Sequence, residues 1–88
     1  MNDDKIQSEG TSVLIDPEQP VQVDVSVGEA PHLEPDYRWL ACAVLLIDWR
    51  RVWINGYGPS RDDALQALIR AGTEQRVAER RRTGARLN

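Results

Sequence analysis

The chain has 88 residues, three more acids than bases, and one cysteine. That length allows one domain, and a single thiol excludes an intramolecular disulfide and any multi-cysteine zinc site. The longest apolar run, Trp39 to Ile47, falls well short of the ~20 residues that a membrane-crossing helix needs.

Charge is unequally spread. Residues 1–36 hold nine acids and one lysine, net −8, and residues 37–88 hold five acids and ten arginines, net +5. The N-terminus, MNDDKIQSEG, is acidic and polar and does not read as a secretory leader, so the protein is expected in the cytoplasm. Residues 1–10 show no hydrophobic period and are expected to form a disordered acidic tail.

The ordered domain is expected over residues 11–82. Thr11 to Ile15 suits a short strand ended by Asp16 and Pro17. Val21, Val23, Val25 and Val27 then alternate with Gln22, Asp24 and Ser26, the pattern of a half-buried strand with β-branched residues on one face. Gly28 to Pro35 reads as a loop. Residues 37–48 are apolar in both parities: Tyr37, Trp39, Ala41, Ala43, Leu45 and Ile47 alternate with Leu40, Cys42, Val44 and Leu46. Such a strand belongs in a sheet with both faces covered. The competing reading is one helix from residue 36 to 55 stopped by Gly56. The hairpin, turning near Asp48 to Arg51, is preferred because the helix would place Arg50 on the same face as Trp39, Ala43 and Ile54.

Residues 49–72 carry the most consistent local signals. Val52 and Ile54 alternate with Arg51, Trp53, Asn55 and Tyr57, as in a strand. Gly56, Gly58 and Pro59 end it. Ser60 is placed to cap a helix, with Asp62 and Asp63 in the dipole-favoured first turn. Ala64, Leu65, Leu68, Ile69 and Gly72 then fall on one stripe. Beyond Gly72 only Val77 and Ala78 are apolar up to Arg82, so residues 73–82 read as a polar extension or a separate short helix, and 83–88 as a disordered tail. The fold expected is α+β: an antiparallel sheet of three or four strands with one C-terminal helix packed on it.

A core this small rarely stabilises a domain by more than a few kcal/mol. One helix covers one sheet face only, so the second face is expected to be buried in a homodimer, against another protein, or under the N-terminal strands. Trp39, Trp49, Trp53 and Tyr57 are the expected protein contacts, since large aromatics anchor interfaces.

Catalytic and cofactor signals are weak. His32 is the only histidine and reads as a solvated loop residue despite Glu29, Glu34 and Asp36 nearby. Asp62 and Asp63 are adjacent and diverge by about 100° on a helix, which suits capping and not paired acid–base chemistry. Cys42 reads as a small buried hydrophobe. No metal spacing, nucleophile elbow or phosphate loop is present, so the chain is expected to be no enzyme and to hold no cofactor. The alternative function is nucleic-acid binding through Arg61, Arg76, Arg80, Arg81 and Arg82, with Arg76 and Arg80 on one helical face. The bland reading of that cluster is a solvated tail screened by the acidic N-terminus.

The run Gly56 to Leu68, G-Y-G-P-S-R-D-D-A-L-Q-A-L, resembles the strand-to-helix passage of double-stranded-RNA-binding domains. Gly28, Pro31 and His32 ahead of Tyr37 resemble that family's Gly-Pro-x-His loop. The resemblance implies a capping role for Ser60, a phosphate contact for Arg61 and a minor-groove contact for His32. Asp62 stands where the family has a second lysine, and the valine alternation replaces the family's first helix. The same run is similar to HicB-like antitoxins, which implies a protein partner.

Overall fold

The valine alternation forms the second strand of a four-stranded sheet in the computed structural model, which describes residues 8–87 and side chains through residue 83. The strands are β1 (Ser8–Ile15), β2 (Val21–Glu29), β3 (Trp39–Ile47) and β4 (Arg50–Gly58), followed by one helix, α1 (Arg61–Leu87). A single 3-10 turn, Pro35–Tyr37, lies between β2 and β3. All pairings are antiparallel in the order β1-β2-β3-β4. The fold is therefore α+β, an antiparallel sheet with one C-terminal helix on it.

Residues 37–55 form the hairpin and not the long helix. Ile47 pairs with Arg50 across a two-residue turn, Asp48–Trp49, whose φ angles of 54° and 65° are both left-handed. These are the angles of a type I′ turn, whose twist matches that of the flanking strands. β1 begins at Ser8, so residues 8–10, expected in the tail, pair with β2. The expectation for residues 1–7 falls outside the described residues. At the other end α1 continues through Thr73 without a break and reaches Leu87, past the expected limit at 82. The N-terminal strands extend the sheet edgewise and do not fold over its second face.

Two devices seat the helix. Ser60 Oγ accepts from the Asp63 backbone N–H at 3.2 Å and donates to Asp63 Oδ2 at 2.9 Å, which satisfies a free N-terminal amide. Gly56 and Gly58 then let α1 lie against β4. A Cβ on Gly56 would overlap the Ala64 carbonyl oxygen and the Leu68 amide nitrogen, and one on Gly58 would stand 2.5 Å from Asp63 Cβ. From there α1 crosses the sheet diagonally, meeting Ile54 and Ile15 at Gly72 and the β1–β2 turn at Arg76 and Arg80. Ala64, Leu65 and Leu68 pack on Val25, Val27, Ala41, Ala43 and Leu45 in one core.

Candidate interaction surface

Strand parity sorts the sheet into two faces. Odd residues of β1, β2 and β3 and even residues of β4 lie under the helix, and the residues that alternate with them point away from it. The uncovered face has two unlike halves. On β1 and β2 it shows Ser12, Gln22, Asp24 and Ser26, with Ser12 donating to Asp24 at 3.2 Å, and one apolar side chain, the exposed Leu14 opposite Gln22. On β3 and β4 it shows Leu40, Val44, Leu46, Trp53 and Tyr57, with Arg51 and Asn55 between. Trp53 is 70% exposed and Leu46 61%.

Because the I′ turn makes Ile47–Arg50 a hydrogen-bonded pair, the pairs Leu40–Tyr57, Val44–Trp53 and Leu46–Arg51 are of the close, non-hydrogen-bonded kind, about 4.5 Å between Cα atoms. Side chains in such pairs touch, so the stripe is continuous along the hairpin. Tyr37 extends it, meeting Tyr57 edge to face with ring centroids 6.3 Å apart. Contiguous apolar surface of this kind is characteristic of contact sites.

The four expected aromatic contacts are not brought together as one group. Trp53 and Tyr57 lie on the uncovered stripe. Trp49 stands at the hairpin tip, 90% exposed, in a left-handed backbone that costs a bulky L-residue about 1–2 kcal/mol. Trp39 lies on the opposite face, half-buried and packed against the core under α1, so its bulk serves folding.

The arginine cluster is also divided. Asp16 is fully buried, with a φ of 67° that turns the chain out of β1. Arg80 binds its carboxylate through two nitrogens, Nη2 reaching Oδ1 at 2.9 Å, and Arg76 Nε reaches Oδ2 at 2.9 Å. Arg80 also pairs with Glu18 at 2.9 Å, and Thr73 Oγ1 accepts from the Asp16 N–H at 2.9 Å. The Arg80 hydrogen bonds hold the Asp16 carboxyl well below the usual carboxylate range against the opposing effect of burial, with help from Arg76. In return Asp16, and then Glu18, raise Arg80 above the ordinary arginine range. A buried carboxylate requires such partners.

Two more of the arginines meet acids. Arg61 donates to Glu9 at 2.6 Å, and Arg82 pairs with Glu79. Of the five, Arg81 alone has no ion pair among the described residues. Nothing in the sequence marked Asp16 beyond its place before Pro17, since its partners lie some sixty residues away.

His32 is exposed in its loop, and Cys42 is a half-buried free thiol on the uncovered face. Among the described residues no group of three metal-capable side chains occurs, and no helix is long and apolar enough to cross a membrane. Compared with protein-family models, with curated proteins and with solved structures, the chain has no match.

Proposed function

We propose that this chain is a non-catalytic protein-interaction module whose contact surface is the uncovered β3–β4 stripe. The observation that carries this reading is the concentration of apolar side chains on one half of that face: Val44, Leu46, Trp53 and Tyr57 are exposed side by side, while the β1–β2 half is polar except for Leu14 near the end of β1. Solvent exposure of aromatic and branched side chains in a continuous strip is unfavourable in isolation and is relieved by a partner. Trp49 adds to it, because a strained backbone under an exposed indole is explained by use of the side chain more readily than by folding. Nucleic-acid binding is the weaker reading, since Arg61, Arg76, Arg80 and Arg82 have carboxylate partners of their own.

A photo-crosslinking phenylalanine analogue installed at Trp53, with a second at Asp24 as the control, tests the reading in producing cells. Discrete protein adducts from position 53 and none from position 24 are expected. Adducts from neither position, or from position 24 alone, would overturn it.

A further inference from the structure

β4 is an edge strand, and the I′ turn decides which of its backbone groups are free. Arg50, Val52, Ile54, Gly56 and Gly58 are the residues whose N–H and C=O face β3, given that Ile47–Arg50 is the hydrogen-bonded pair closing the turn. Arg51, Trp53, Asn55 and Tyr57 therefore direct theirs outward, and no hydrogen bond to them occurs among the described residues. The same four residues carry the side chains of the uncovered stripe. After Arg50 and Arg51, no charge, proline or left-handed glycine interrupts this edge before Pro59, so the stretch from Val52 to Gly58 lacks the usual protections against strand addition.

The edge is also polar from end to end. It opens with Arg50 and Arg51, both exposed and without ion pairs among the described residues. It closes at Gly58, over which Asp63 stands, and Asp62 precedes it in the same first turn of α1. A strand basic at its start and acidic at its finish is complementary to itself when antiparallel and repels itself when parallel.

Building on the stripe proposed above as the contact surface, we infer that its partner is a second copy of this chain, joined β4 to β4 in an antiparallel two-fold register centred on Ile54. Each Trp53 is then opposite the partner copy's Asn55 and each Arg51 opposite the partner copy's Tyr57, so all four outward residues of both strands form hydrogen-bonded pairs. Moving the centre by one residue, to Trp53 or Asn55, leaves Tyr57 or Arg51 beyond the ladder, the latter opposite Pro59, which has no N–H to give. On the helix side, Val52 and Arg50 meet the second copy's Gly56 and Gly58, and Arg50 arrives beside its Asp62 and Asp63. The diagonal of α1, which covers β4 at Gly56 and Gly58 and moves off toward the β1–β2 turn, leaves room over Arg50 for that helix end. On the open face Arg51 lies against a tyrosine ring, a favourable cation–π placement. Two four-stranded sheets become one of eight strands, with both stripes on one surface.

The test is the mass of the full chain by light scattering and sedimentation over a range of concentrations. A species of twice the 10.0 kDa chain mass is expected. Asn55→Pro removes one outward N–H without touching the β3 ladder and is expected to give a monomer with an unchanged far-UV spectrum. Arg50→Glu and Asp62→Arg are each expected to weaken the dimer at least about tenfold, and the double variant to restore it. Should Asn55→Pro fail to fold, the charge pair decides alone. A monomer at every concentration overturns the inference, and so does a dimer that none of these variants weakens. A dimer lost with Trp53→Ser but indifferent to the edge and charge variants would mean face-to-face packing. That outcome sinks the β4 pairing while the stripe remains the contact surface.

Discussion

Gly56→Ala adds one methyl group at the point where α1 rests on β4. That methyl would overlap the Ala64 carbonyl oxygen and the Leu68 amide nitrogen and stand 3.0 Å from the Ala67 carbonyl carbon. All three are main-chain atoms, so no side chain can rotate away, and the helix must lift by about 1 Å to reach ordinary contact distances. A gap of that size forfeits a quarter to a half of each dispersion contact along a stripe in which Ala64 and Leu68 are fully buried. Overpacking a core usually costs about 1–3 kcal/mol, and the rigidity of the obstacle places this case near ~3. Against a stability of roughly 4–13 kcal/mol for a domain this size, the loss is a large fraction.

Urea unfolding followed by far-UV circular dichroism measures it. With a slope of about 1–2 kcal/mol/M, the midpoint should fall by at least ~1.5 M. Gly10→Ala is the control, because a Cβ there meets nothing within 4 Å and should change stability by less than about 0.5 kcal/mol. A Gly56→Ala midpoint indistinguishable from that of the control would refute the close helix–strand approach.

Asp16→Asn keeps a residue tolerant of the left-handed backbone but removes the charge that Arg76 and Arg80 share. The folded-state pKa of Asp16 lies below its ordinary value of 3.8, so its contribution is complete above that value and declines as pH falls below it. The variant should be less stable than wild type at pH 7 and lose less further stability between pH 4 and pH 2; urea midpoints that stay parallel across that range would contradict the ion-pair assignment. Trp49→Asn should relieve the strained turn and stabilise the chain by up to about 1 kcal/mol, raising its thermal midpoint by a few degrees. A fall in the midpoint would show that the indole packs on the fold.

The arginines illustrate how far a charge cluster read along a chain can mislead. Arg76 and Arg80 share a helical face in the sequence, and that much is geometry. Their use is decided by Asp16, which the β1–β2 turn delivers from the far end of the chain. The acidic first half and basic second half, an asymmetry visible in the composition, thus meet in part within the molecule. The stripe was more legible: the alternation that puts Trp53 and Tyr57 opposite Val52 and Ile54 is a local property of an extended chain. Trp39 was harder, because β3 is apolar in both parities and neither parity announces which face the helix will take.

What the sequence determined by itself was whatever rests on neighbours within a few residues. The valine strand, the serine-capped start of α1 and its buried stripe through Gly72 follow from period and capping, whereas Gly56 and Gly58, which read locally as the end of the strand, lie within β4 with no positive φ and serve the approach of the helix. Tertiary structure decided what depends on pairing between distant segments. The apolar run at residues 39–47 became a strand because β2 and β4 pair with its two edges. The N-terminal hairpin extended the sheet edgewise, which left one face bare. The polar end of α1 is tied down by a carboxylate some sixty residues earlier, because a buried charge must find its partners wherever the fold puts them.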